Sequence, residues 1–98
     1  MYILISADGT LSLEDIDNLN SFSIVGQSDV TRSSAFSAMA SQVGEGHYWI
    51  DVDAVIKLSL RRDDQQWVDE FWDMLRKAEP YGYTDLVNNR IKAHVETS

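Results

Sequence analysis

The segment Asp64–Ala78 carries apolar residues at helical spacing along most of its length. They fall on one stripe of a helix, and polar residues fill the opposite side. Arg76 and Lys77 lie in the last turn, where cations complement the helix dipole, and Pro80 follows the segment. The pattern predicts an amphipathic helix over Asp64–Ala78. Its apolar stripe consists of Trp67, Phe71, Met74, Leu75 and Ala78.

A second helical pattern lies between Asp29 and Val43. Its apolar residues recur at positions i, i+3, i+4 and i+7, as one face of a helix requires. Gly44 follows, at a place where helix ends favour a left-handed residue. The spacing predicts a helix over Asp29–Val43. The four apolar positions are Phe36, Met39, Ala40 and Val43.

Runs of β-branched and aromatic residues, most of them alternating with polar ones, predict strands at four places. These are Tyr2–Ser6, Phe22–Gly26, His47–Val52 and a last strand around Ile91–Val95. The stretch Asp53–Leu60 fits both the strand and the helix period, and we expect a helix there.

Two signals compete after the first strand. An Asp8-Gly9 turn favours a returning strand over Thr10–Leu13. A capping serine followed by apolar residues at helical spacing favours a short helix instead. We expect the helix, from about Leu13 to Asn20.

Together these elements predict an α+β fold. We expect a single small domain over residues 1–98, with a three- to five-stranded sheet packed by at least two amphipathic helices. A chain of 98 residues provides for one hydrophobic core. The expected core residues are Ile3, Ile5, Phe36, Met39, Ile50, Val52, Phe71 and Leu75.

The net charge of −8 is distributed unevenly, because residues 1–31 hold five acids and no Lys or Arg. Neutralisation of phosphates supplies most nucleic-acid affinity, so we expect no direct nucleic-acid binding. No apolar run approaches the length of a membrane span. The sequence contains no cysteine, which is compatible with a reducing compartment. We expect a cytoplasmic protein without membrane association.

His47 and His94 are the two side chains whose ordinary ionisation lies near neutral pH. If their strands are neighbours, both rings reach one end of the sheet, where Asp51 or Glu96 would orient them. Such a cluster would serve as general acid and base. Hydrogen-bonded histidines at strand ends are the simpler interpretation. Because no third ligand accompanies His47 and Asp51, we expect no metal site, and no cofactor is indicated.

The aromatic side chains exceed what so small a core must hold. Alternation places Trp49 on the same strand face as His47 and Asp51, and Trp72 falls at the edge of its helix stripe. Each would line a ligand pocket or anchor a partner, and the surplus predicts a homodimer. The surplus set is Trp49, Trp67, Trp72, Tyr81 and Tyr83.

Motifs for a nucleophile elbow or a phosphate-binding loop do not occur in the sequence. The favoured hypothesis is a non-catalytic binding or assembly module that acts through an aromatic patch, and Trp49 and Trp72 are the candidate ligand- or partner-binding residues. The alternative is a small cofactor-independent enzyme or small-molecule-binding protein. It would use His47, Asp51 and His94 beside Trp49.

Overall fold

A computed structural model describes residues 1–26 and 32–97 of the chain. The strands are β1 (Tyr2–Ile5), β2 (Leu11–Glu14), β3 (Ser23–Gly26), β4 (Ala40–Gly44), β5 (His47–Asp51), β6 (Thr84–Asp85) and β7 (Arg90–Thr97). The helices are α1 (Ser34–Ser37), α2 (Val52–Leu58) and α3 (Gln65–Ala78), followed by a 3₁₀ helix at Glu79–Tyr81.

The seven strands form one mixed sheet in the order β2-β1-β3-β7-β5-β4, with β6 paired to β7. The pairs β1–β3 and β3–β7 are parallel, and the other pairs are antiparallel. The predicted fold class is therefore wrong. The sheet has seven strands instead of three to five, and of the two predicted amphipathic helices only the one at Asp64–Ala78 forms.

The helix predicted over Asp29–Val43 is wrong for two reasons. Among the described residues of this stretch the α-helix covers Ser34–Ser37, and Ala40–Gly44 forms a strand that pairs antiparallel with β5. The tight turn at Glu45 and Gly46 brings β4 beside β5, and this pairing outweighs the local helical spacing. Residues 29–31 of that prediction lie outside the described residues.

The helix predicted from Leu13 to Asn20 is also wrong, because the Asp8-Gly9 turn returns the chain as β2. The Asp8 carboxylate accepts hydrogen bonds from the Ser6 hydroxyl and from the Thr10 backbone N–H. Gly9 adopts a φ of 87°, a conformation that glycine reaches without steric cost. The turn signal thus prevails over the helix signal.

Further differences lie at the end of the chain. The sequence pattern predicts no strand at Thr84 and Asp85, yet these residues pair with β7 as a short strand. The last strand was expected around Ile91–Val95, but it continues to Thr97, and Glu96 and Thr97 pair with Val25 and Gly26 of β3. The strands that the prediction lacked are thus β2, β4 and β6.

The remaining predicted elements are confirmed. The strands at the N-terminus, before Gly26, at His47 and around Ile91 all form, as does the helix expected over Asp53–Leu60, which spans Val52–Leu58. The helix over Asp64–Ala78 begins where predicted, with Asp64 as its capping residue. Every predicted core residue is buried except Met39, which is partly buried against the core. No helix in the described ranges is both long and apolar enough to cross a membrane.

Alternation along the strands gives the sheet two faces. We call the side that holds the core the inner face, and the buried residues of all three helices belong to that core. Its strand residues are Ile3, Ile5, Leu13, Ile24, Tyr48, Ile50, Ile91 and Ala93. We call the opposite side the outer face. Over β5 and β7 it consists of His47, Trp49, Asp51, Arg90, Lys92, His94 and Glu96.

Candidate functional site

His47 and His94 lie directly opposite each other on β5 and β7. Their ring centroids are 4.8 Å apart, with the ring planes inclined at 52°. The Val95 N–H donates to the Gly46 carbonyl at 2.7 Å, so the histidines form a non-hydrogen-bonded pair, in which side chains approach most closely. Both are exposed. The structure thus brings together the two histidines that the sequence suggested.

Asp51 does not join the histidine pair. Its carboxylate caps α2 by accepting the Asp53 N–H at 3.1 Å. It lies four residues beyond His47 on β5, which is roughly 13 Å along an extended strand. No hydrogen bond joins Asp51 or Glu96 to either ring among the described residues. The predicted catalytic set is therefore reduced to two imidazoles without an orienting carboxylate.

Trp49 lies on the outer face between two cations of β7. The Arg90 Cζ is 4.6 Å and the Lys92 Nζ is 5.4 Å from the centroid of its ring, distances typical of cation–π contacts. A recess of about 250 Å³ beside the ring is lined by Trp49, Asp51 and Arg90 among others, but not by either histidine. Trp49 and the histidines therefore share a face of the sheet without forming one pocket.

Trp72 lies on α3 and packs, partly buried, against the core. Because α3 covers the inner face, Trp72 and Trp49 lie on opposite sides of the sheet. The two tryptophans that the sequence suggested as binding residues therefore do not share one surface.

A larger groove opens along the edge of β7 opposite β5, where no strand of the described sheet pairs with residues 92–94. Both β3 and β6 lie on the edge of β7 opposite β5, β3 beside residues 95–97 and β6 beside residues 90–91. The gap between them holds a groove of about 520 Å³. The C-terminal end of α3 forms its third wall. The lining residues are Leu19, Asn20, Ser21, Phe22, Met74, Lys77, Ala78, Tyr81, Tyr83, Ile91 and Lys92.

Two tyrosines line this groove and are well exposed, Tyr81 at 78% and Tyr83 at 59%. The left-handed Gly82 between them, with φ 81°, turns the chain from the 3₁₀ helix towards β6. The Lys92 N–H donates to the Tyr83 carbonyl at 2.8 Å, which places Tyr83 opposite Lys92. The neighbouring Thr84 hydroxyl donates to the Leu75 carbonyl at 2.8 Å and fastens β6 to α3.

The charge of the groove is opposite to that of the chain. Lys77 and Lys92 line it, and none of the lining residues within the described part of the chain is acidic, although the net charge is −8. The sequence indicated this site only through its surplus of aromatics. Tyr81 and Tyr83 were part of that surplus, but no pattern in the sequence gave a reason to place them beside Lys92.

Neither a family model nor a curated protein nor a solved structure matches this chain. A functional assignment therefore rests on the chemistry of the histidine pair and of the groove. No group of three or more potential metal-ligating side chains occurs within residues 1–26 and 32–97. The groove offers apolar walls, two phenol rings and two lysine side chains, which are the elements of a binding site for a planar anion.

Proposed function

We propose that this chain is a non-catalytic binding module whose aromatic patch is the groove of Tyr81 and Tyr83. Its ligand is a small molecule with a planar apolar body and an anionic group. One observation carries the proposal: a groove lined by two lysines and no acidic residue, on a chain with a net charge of −8.

The size and lining of the groove support a small ligand. Its volume of about 520 Å³ falls within the range of roughly 300–1,000 Å³ in which drug-sized molecules bind. Phe22, Met74 and Ile91 offer apolar surface, and the exposed rings of Tyr81 and Tyr83 offer planar surface for stacking.

Charge supports an anion over a cation. The acidic chain repels anions at long range, so the two lysines must act locally, within about 10 Å at 0.1 M salt. A ligand bound in this way binds more weakly as the salt concentration rises. The same lysines repel a cationic ligand with an identical apolar body.

A matched pair of probes tests this selectivity. Indole-3-acetate and tryptamine carry the same ring and opposite charges. We expect indole-3-acetate to shift the NMR signals of Tyr81, Tyr83 and Lys92, and tryptamine to shift them at least tenfold less at equal concentration. Equal shifts with both probes, or shifts confined to other residues, contradict the proposal.

Variants then connect the binding to the groove. Lys92→Gln removes one ammonium group, and Tyr83→Ala removes one ring that is largely exposed and so contributes little to folding. We expect each to weaken indole-3-acetate binding severalfold. Lys57→Gln on the exposed side of α2 is the matched control and should leave binding unchanged.

Self-association is a second candidate function, favoured by the edge of the sheet. In the described sheet β4 pairs with β5 alone, and Val43 of β4 is 46% exposed. Strands with an unpaired edge are templates for pairing with a second chain. We propose a homodimer through this edge in the cytoplasm. Light scattering should give twice the monomer mass for the wild type and the monomer mass for Gln42→Pro.

A further inference from the structure

The histidine pair offers a second kind of site, independent of the groove. We propose that His47 and His94 together bind one divalent transition-metal ion of the zinc, nickel or copper class. Neutral imidazole nitrogens are preferred ligands of these metals. The sequence contains two histidines and no cysteine, so the pair gathers every imidazole of the chain in one place.

The spacing of the rings fits joint coordination. A nitrogen about 2.0–2.1 Å from zinc puts the centroid of its ring roughly 3.2 Å from the metal. An angle of about 90–110° at the metal then separates two ring centroids by roughly 4.5–5.2 Å. The observed separation is 4.8 Å. Because both side chains are exposed, their rings can turn towards a common ion without displacing the core.

The hydrogen bond of His47 prepares its other nitrogen for a metal. The His47 Nδ1 lies 2.9 Å from the Glu45 carbonyl oxygen, which can only accept. The proton therefore sits on Nδ1 and the lone pair on Nε2. Metal-ligating histidines in proteins commonly donate their second ring N–H to a backbone carbonyl in this manner, which fixes tautomer and orientation.

The turn beside the pair leaves room for the second ring. A Cβ at Gly46 would lie 3.4 Å from His94 Nε2, and Gly46 has a φ of 71°. The 3.4 Å distance is that of an ordinary contact, so the His94 ring lies against the turn without strain, and glycine is favoured there by its positive φ. Two imidazoles fill half of a tetrahedral zinc shell, and water occupies the other two positions. The site therefore takes one ion per chain and stays open to exchange.

Titration of the untagged full chain with zinc chloride at slightly alkaline pH tests the site. With two histidines in the chain, each ring gives its own NMR signals. We expect both sets to shift together and to saturate at one equivalent of zinc. Zinc should also raise the unfolding temperature, because it binds the folded pair and not the separated histidines of the unfolded chain.

Three variants decide the outcome. His47→Ala and His94→Ala should each lower zinc affinity at least tenfold and abolish the rise in unfolding temperature. Lys57→Gln on the exposed side of α2 should retain both effects. Circular dichroism checks that each variant is folded, which exposed positions favour. Zinc binding that survives in His47→Ala, or saturation at half an equivalent with a doubled mass, overturns the single-chain site.

Discussion

Strands β5 and β7 present two chemically different faces within the thickness of one sheet. On the inner face, Tyr48 and Ile50 of β5 lie beside Ala93 and Ile91 of β7, and all four are buried. On the outer face the alternate residues of the same strands include two imidazoles, an indole, a guanidinium and an ammonium group, beside the carboxylates of Asp51 and Glu96. The imidazoles, the indole and the two cations are those of His47, His94, Trp49, Arg90 and Lys92.

The difference arises because the helices cover one face. Phe71, stacked on Trp67 at a centroid distance of 5.3 Å, and Leu75 of α3 complete the core on the inner face. Burial of apolar area there supplies the stabilisation that folding needs. The outer residues are largely released from that requirement. Replacing an outer-face side chain costs little stability, so the identity of these residues can serve binding instead of folding.

The first prediction compares one aromatic residue of the core on the inner face with one on the outer face. Phe71→Ala removes a fully buried ring and should lower the free energy of unfolding by about 3–5 kcal/mol. Trp49→Ala removes a larger ring on the outer face and should lower it by roughly 1 kcal/mol or less. Urea denaturation followed by circular dichroism measures both.

A conservative variant separates loss of volume from loss of the ring itself. Phe71→Leu keeps most of the buried apolar surface and should cost clearly less than Phe71→Ala. If Trp49→Ala destabilises the protein as much as Phe71→Ala, the outer face is part of the core, and the contrast between the faces is wrong.

The inner face could be predicted from the sequence, because hydrophobic periodicity reports burial directly. The period of α3 and the alternation in β5 located Ile50, Phe71 and Leu75 in the core, as the structure has them. The edges of the sheet could not be predicted. Whether Ala40–Gly44 is helical or extended depends on its pairing with β5, and this contact is not encoded in the local spacing.

The histidine pair and the groove were only partly predictable. Alternation placed His47 and Trp49 on one face, but the register that sets His47 against His94 required the structure. The groove depends on the gap between β3 and β6 along β7. A site made by two strands that stop short of each other has no signature in any single segment. Its lining residues are drawn from four separate stretches of the chain.

The second prediction sharpens the contrast within α3, which carries two tryptophans in different surroundings. The Trp67 side chain is fully buried, and its indole N–H donates to the carbonyl of the partly buried Ile16 at 2.9 Å, whereas Trp72 is half-buried at the edge of the core. Trp67→Phe leaves that carbonyl without its donor, which costs about 1–3 kcal/mol. The substitution also removes part of the ring volume.

Trp72→Phe is the matched control, since it makes the same chemical change five residues further along α3. We expect it to cost clearly less than Trp67→Phe in urea denaturation. Equal losses would mean that ring volume, and not the buried hydrogen bond, governs the stability of this helix against the sheet.

The third and smallest expected effect is the loss of stability at low pH. Protonation acts on the periphery of the fold, because no Asp or Glu among the described residues is buried. The hydrogen bond from the Ser6 hydroxyl, aided by Thr10, lowers the pKa of Asp8 from 3.8 to about 2. A lowered carboxylate pKa stabilises the fold fully above the ordinary value, and this contribution is lost as pH falls through the lowered one. Stability should therefore decline between pH 3.8 and about 2.

Asp8→Asn keeps a favoured Asn-Gly turn but cannot ionise, so urea midpoints of this variant should fall less across that window. An identical decline in both proteins would show that the Asp8 turn makes no pH-dependent contribution to stability.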